Sequence, residues 1–122
     1  MQTQPIPEYR FEDYLAIERE STDVKHEYFA GQVFAMSGGS YEHSLITANL
    51  ARALGNRLGG SPCVVLSSDM RIRIETADAG AYPDVSVLCG EPIFHDARRD
   101  VLTNPVLIAE VLSPTTEAYD RG

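Results

Sequence analysis

The chain has no tryptophan, a single lysine (Lys25) and two cysteines. No apolar run approaches the ~20 residues that a helix needs to cross a bilayer. The N-terminal stretch "MQTQPIPEYRFEDYL" lacks the basic-then-apolar order of a signal peptide, so a soluble, cytoplasmic protein without a membrane partner is expected. Cys63 and Cys89 have neither CxxC spacing nor a cysteine-rich context, and each falls in a predicted strand. Buried, reduced thiols are the expectation for them. The three histidines, His26, His43 and His95, are scattered without zinc-ligand spacing. Low-complexity tracts and internal repeats are absent, and 122 residues suit one compact domain over 1–122.

Basic charge is scarce too. Eighteen acids outnumber the ten lysines and arginines, for a net charge of −8. This argues against a broad non-specific grip on nucleic acid, which rests on basic groups meeting phosphates. Local patches remain, at Arg71 with Arg73 and at Arg98–Arg99, although solvated surface arginines are the simpler expectation for both pairs. An acidic balance is compatible with a metal site, because hard cations need carboxylates.

Several elements can be read from what is present. "RFEDYLAIERE" places Phe11, Tyr14, Leu15 and Glu18 at helical spacing. "KHEYFAGQVFAMS" reads as two short strands turning at Ala30–Gly31, with Tyr28, Phe29 and Phe34 as core aromatics. "SGGS" breaks the chain, and Ser40 is a helix cap for a segment running to about Leu58. In that helix Ile46, Leu50, Leu54 and Leu58 recur every four residues; His43 opens the same inward stripe and Glu42 flanks it. "CVVLSSDMRIRIE" reads as a strand, apolar on both faces in its first half, with Met70, Ile72 and Ile74 alternating with Arg71 and Arg73 in its second. "TADAGAYP" reads as a loop, "DVSVLCG" as a strand, and Glu91 to Pro105 as irregular with a helical turn at "DARRD". Ser113 and Pro114 have the pattern of a helix start. Thr115 and Thr116 are capping hydroxyls beside it. The order predicts an α/β fold with a mixed sheet and the long helix on one face.

Two acids stand out. "VLIAEVLS" is the most apolar strand of the chain and reads as central, with Glu110 near its end. An ionised carboxylate in apolar surroundings must be paired, hydrogen-bonded or bound to a cation. Asp84 opens the strand after Pro83. Two carboxylates from neighbouring strand ends suit magnesium or manganese, although ion pairing of Glu110 with an arginine is an equal alternative on spacing alone.

The segments "HEYFAGQVFAMSGGSYEHSLITANLARALGNRL", "SSDMRIRIE", "YPDVSVLCG" and "NPVLIAEVLSPTTEAYDRG" together resemble the Uma-two family of restriction endonucleases, in the PD-(D/E)XK nuclease superfamily. The resemblance runs from about Phe11 to the end. It implies a restriction-endonuclease-like core, a mixed central β-sheet flanked by helices, with the C-terminal part of the domain missing. It also implies that Pro83–Asp84 is the "PD" and Glu110 the second acid, and that Asp84, Glu110 and the Val111 carbonyl hold Mg2+ or Mn2+. His43, Glu42 and Glu27 become catalytic positions at the rim, DNA the substrate, and a homodimer an expected assembly. One position departs from the superfamily pattern: Leu112 stands where a lysine is usual. Relatives supply that lysine from the following helix, and here no lysine follows Lys25. The implied function is a metal-dependent endonuclease in full-length form. The alternative is a nuclease-like domain that binds metal, nucleic acid or a protein partner without cutting.

Overall fold

The computed structural model describes residues 8–112. The chain divides into two compact units, Met1–Met36 with Arg73–Ala81, and Ser37–Ile72 with Tyr82–Gly122.

The first unit is built on helix α1 (Phe11–Glu20), strands β1 (His26–Phe29) and β2 (Gln32–Ala35), a 3-10 turn (Glu75–Ala77) and strand β5 (Ala79–Ala81). As the spacing predicts, α1 buries Phe11, Tyr14, Leu15 and Glu18. Its first turn is closed by the Arg10 amide, which donates to Asp13 Oδ2 at 3.0 Å. A buried carboxylate must be compensated, and His26 does this for Glu18. The His26 amide donates to Oε2 at 2.9 Å and its ring Nδ1 lies 3.0 Å from Oε1. β1 and β2 form the expected antiparallel hairpin, with Phe29 opposite Gln32. Its two turn residues, Ala30 and Gly31, have φ of 50° and 88°, the left-handed pair of a type I′ turn.

Three expectations fail in this unit. The "TADAGAYP" segment is not a plain loop: β5 pairs antiparallel with β1, Tyr28 opposite Gly80. Only glycine fits at position 80, because a Cβ there would stand 2.8 Å from Phe11 Cε1 and 3.3 Å from Tyr14 Cε2. Of the hairpin aromatics Tyr28 is buried, whereas Phe29 and Phe34 are exposed. Strand alternation explains this: Phe34 pairs with Glu27, one residue off from Tyr28 and so on the opposite face. Finally, Arg73 is not a solvated surface group. Its guanidinium lies 4.2 Å from the Phe11 ring centroid and 3.1 Å from Asp78 Oδ1, a stacking and pairing that draw it inward.

The second unit holds helix α2 (Tyr41–Leu58) and strands β3 (Cys63–Leu66), β6 (Val85–Cys89), β7 (Val101–Leu102) and β8 (Leu107–Ala109). Strand β4 (Arg71–Ile74) begins here and ends in the first unit. The β3–β6 and β6–β8 pairs are antiparallel, whereas β4 and β7 run parallel, Arg71 opposite Val101. The sheet β3-β6-β8 is antiparallel throughout, and the mixed sheet that the resemblance implies is the five-stranded one, in the order β2-β1-β5-β4-β7. Helix α1 contacts β1, and α2 contacts β3 and β6. The core of the second unit consists of Ile72, Tyr82, Val85, Val87, Leu88, Val101 and Leu102.

Further corrections concern this unit. Cys63 and Cys89 are not reduced thiols but a disulfide, S–S 2.00 Å. They are register partners in the β3–β6 pair, a juxtaposition that spacing along the chain does not reveal. Strand β8 is not central: it ends the order β3-β6-β8, and Leu107 and Ile108 are exposed. Glu110, just past its end, is exposed as well, so apolar burial is not what constrains this acid. The inward face of α2 is shifted from the expected one. His43, Thr47, Leu50, Ala51, Leu54 and Leu58 are half-buried, whereas Ile46 is 52% exposed. Arg71 is drawn inward like Arg73, with Nε donating to the Tyr82 hydroxyl at 3.0 Å and Nη1 to Asp100 Oδ2 at 3.2 Å. Arg98 and Arg99 are exposed as expected. "DARRD" forms a turn rather than a helix, with the Arg99 amide on the Asp96 carbonyl. Ser113, Pro114, Thr115 and Thr116 lie outside the described residues.

Candidate functional site

Asp84 stands one residue before β6, between Pro83 and Val85. Both of these neighbours are buried, so the aspartate side chain is held at the mouth of a packed strand and is itself 15% exposed. Two groups converge on its Oδ2. The Val111 amide donates to it at 2.7 Å, and His43 Nε2 lies 3.0 Å away. A short bond from an amide to a carboxylate is charge-assisted and among the stronger kinds. It joins the start of β6 to the residue after Glu110.

The strand register supplies the second acid. Val85 pairs with Ala109 in the antiparallel β6–β8 pair. Asp84 and Glu110 each stand one residue beyond this last pair.

His43 comes from the first turn of α2. Ser40 Oγ accepts its amide at 3.1 Å and fixes the helix start. Its ring lies close above the preceding chain, so that a Cβ on Gly39 would stand 2.8 Å from His43 Nδ1. Thr47 and Ser86 follow, one helical turn after His43 and two residues after Asp84, on the same faces of their elements. Both hydroxyls are buried without a hydrogen-bond partner among the described residues.

The structure thus brings Asp84, His43 and Val111 into direct contact, with Asp84 and Glu110 each one residue beyond the Val85–Ala109 pair. Glu42 is exposed beside His43. Glu27 lies in β1 of the other unit, paired with Phe34. The sequence reading of Val111 as a carbonyl donor overlooks its amide. It also takes Gly39 only as a chain break and passes over Ser86. A glycine at the N′ position of a helix whose third residue is histidine was the available signal for Gly39.

Among the described residues no group of three or more His, Cys, Asp or Glu side chains could hold a metal ion. The donor set that the resemblance implies, Asp84, Glu110 and the Val111 carbonyl, is small: two carboxylates and a backbone carbonyl. It does not fit a structural zinc site, which takes four protein ligands. It does fit magnesium, which commonly takes one or two carboxylates and completes its shell with water and phosphate oxygens.

The chain is similar to several known proteins. Residues 11–122 match the model of the Uma2 family, "Putative restriction endonuclease". Among curated proteins, uncharacterized protein slr1290 of Synechocystis is 44% identical over 118 residues, covering 97% of this chain and 60% of that protein. Uncharacterized protein sll1609 of the same organism is 38% identical over 110 residues, covering 90% of this chain and 62% of that one. The chain thus spans about three fifths of the curated relatives it matches. Among solved structures, the crystal structure of a "putative nuclease belonging to DUF820" from Anabaena variabilis superposes with a TM-score of 0.71 at 18% identity. That match covers 93% of this chain and 65% of the other, and at such identity it speaks for the fold. With a family match over nearly its whole length and the mixed α/β fold that goes with it, the chain belongs to the Uma2 family.

Proposed function

We propose that the chain carries the metal-binding segment of a magnesium- or manganese-dependent DNA endonuclease, with Asp84 and Glu110 as its carboxylate ligands. Support for this reading comes from the β6–β8 register, which would oppose the two acids if continued by one residue, and from the Val111 amide that holds Asp84 in place. Membership of a family described as restriction endonucleases supports the reaction class.

In this reading Asp84, Glu110 and the Val111 carbonyl would hold the ion. A divalent cation bound there would polarise a phosphoryl oxygen and lower the pKa of a bound water. His43 restrains the Asp84 carboxylate through Nε2. Glu42 neighbours it at the rim, and Glu27 enters on the family resemblance alone. Water attacks phosphorus in line, the bond to the 3′ oxygen breaks, and a 5′-phosphate and a 3′-hydroxyl result.

Plasmid nicking in magnesium tests the reading. Cleavage should appear with Mg2+ or Mn2+, stop with EDTA, and be lost in Glu110→Ala. Cutting that survives both EDTA and Glu110→Ala would sink it.

One observation favours a second reading. Leu112 occupies the position at which the superfamily carries a lysine. Such a group positions the water and steadies developing charge, and losing it costs on the order of a hundredfold or more in rate. The second reading is a domain that binds metal, nucleic acid or a protein partner without cutting. Calorimetric Mn2+ binding that Asp84→Ala abolishes, in a chain that never nicks DNA, would select it.

A homodimer belongs to the same proposal, supported by the exposed Val106, Leu107, Ile108 and Leu112 around the outermost strand β8. Light scattering that returns a monomer contradicts it. Among the described residues no helix is long and apolar enough to cross a membrane. In the cytoplasmic setting proposed here, the Cys63–Cys89 bond would face cellular thiol reductants.

A further inference from the structure

We infer that Gly39 is a positioning residue, whose missing side chain lets the His43 ring lie back over the chain so that Nε2 reaches Asp84. The inference rests on the reading of Asp84 as a site residue. Its structural part stands on distances alone.

The two glycines of "SGGS" are not equivalent. A Cβ on Gly38 would meet nothing within 4 Å. A Cβ on Gly39 would stand 2.8 Å from His43 Nδ1, 3.3 Å from Cγ and 3.5 Å from Cε1, against the ring itself. No left-handed backbone is needed at either position, because neither residue is among the positive-φ glycines. What forbids a side chain at 39 is therefore the imidazole and not the main chain. Nδ1 and Nε2 flank Cε1 in one rigid ring. A methyl group pressing on Nδ1 moves Nε2 as well, and Nε2 is the atom 3.0 Å from Asp84 Oδ2. The conflict falls on a rotatable side chain, so relief comes by turning the ring away and the fold is kept. Ser40, next in the chain, caps α2 through the His43 amide. The backbone of His43 thus stays fixed while its ring is displaced.

The test compares Gly39→Ala, Gly38→Ala, His43→Ala and the Gly39→Ala/His43→Ala double variant. The first readout is the 1H–15N signature of the His43 ring, compared with that of Asp84→Asn. Gly39→Ala should shift the Nε2 signal as Asp84→Asn does, whereas Gly38→Ala should leave it unmoved. The second readout is nicking in Mg2+. Gly39→Ala should lower kcat by about tenfold or more, with KM changed less, because a displaced group costs rate before it costs binding. The double variant should be no slower than His43→Ala, since the glycine acts through the ring. A His43 signal unmoved in Gly39→Ala overturns the inference. A signal lost in Gly39→Ala in a chain that never nicks DNA upholds the positioning and removes the nuclease reading. Should Gly39→Ala fail to fold, the double variant decides. Recovery of the fold once the ring is gone supports the clash, and continued unfolding refutes it.

Discussion

The Val111 amide donates to Oδ2 of Asp84 at 2.7 Å, so the backbone just past one expected acid is tied to the side chain of the other. The same oxygen lies 3.0 Å from His43 Nε2. Asp84 is therefore both the cation ligand of the proposal and a tether between strand ends, and the two roles can be separated by mutation.

Asp84→Asn keeps an oxygen that can accept from Val111 but removes the charge. It should unfold within about 1 kcal/mol of the wild type in a urea titration, while Mn2+ binding by calorimetry is lost. Asp84→Ala leaves the Val111 amide without this acceptor and should cost a further ~1–3 kcal/mol. Equal destabilisation by both substitutions would contradict the tether.

The Cys63–Cys89 bond closes a loop with a sequence separation of 26. Restricting the unfolded chain by a loop of that size is worth about 3 kcal/mol in the chain-entropy account. Reduction, or the Cys63→Ser/Cys89→Ser double variant, should lower stability by about that amount. A thiol titration of the native, unreduced protein should find neither cysteine reactive; two titratable thiols would refute the bond.

Ser86 is fully buried in β6, and its hydroxyl has no hydrogen-bond partner among the described residues. A buried polar group in that condition costs about 1–3 kcal/mol. Ser86→Ala should thus be neutral or raise the melting temperature. A loss of more than about 1 kcal/mol would mean that the hydroxyl is satisfied in solution.

Burial raises the pKa of the Tyr28 phenol, and so do the charge of Asp78 and its hydrogen bond; a backbone bond from Gly31 and the Arg73 charge act in the opposite sense. The hydroxyl donates to the Tyr9 carbonyl and to Asp78 Oδ2. The folded state thus holds its proton more tightly than the unfolded chain, whose tyrosines titrate near 10. This stability is fully present below that pH and is lost as pH rises through the higher folded pKa. Thermal stability should therefore fall above about pH 10, and less steeply in Tyr28→Phe. An identical alkaline slope in the two proteins would rule this out.

How much could be read from the chain depends on how local each determinant is. The α1 face, the Ala30–Gly31 hairpin and the Ser40 cap follow from spacing and turn chemistry within a few residues, and they stand as read. Strands β5 and β7 have three and two residues, too few to show a period. The disulfide needs the β3–β6 register, which no spacing along the chain gives. Strand β8 shows the limit of composition: "VLIA" is apolar enough for a central strand, yet it lies at the end of its sheet order. For α2, the four-residue recurrence from Ile46 picks out a face that the helix turns partly to solvent. The half-buried line runs through His43 and Thr47, polar residues that a hydrophobic count passes over. Pro83–Asp84 and Glu110 were legible as acids at strand ends. Their place one residue beyond the Val85–Ala109 pair, and the part of Val111, required the pairing.

Strand β6 is fastened at both extremities: Cys89 is bonded covalently across to β3, and the Asp84 side chain grips the main chain beyond β8. Antiparallel ladders fail most easily by sliding, and a slip of one residue turns every side chain to the wrong side. Here a sulfur bridge at one terminus forbids that slide against β3, so the aim of the carboxylate at the far terminus is governed partly by chemistry five residues away.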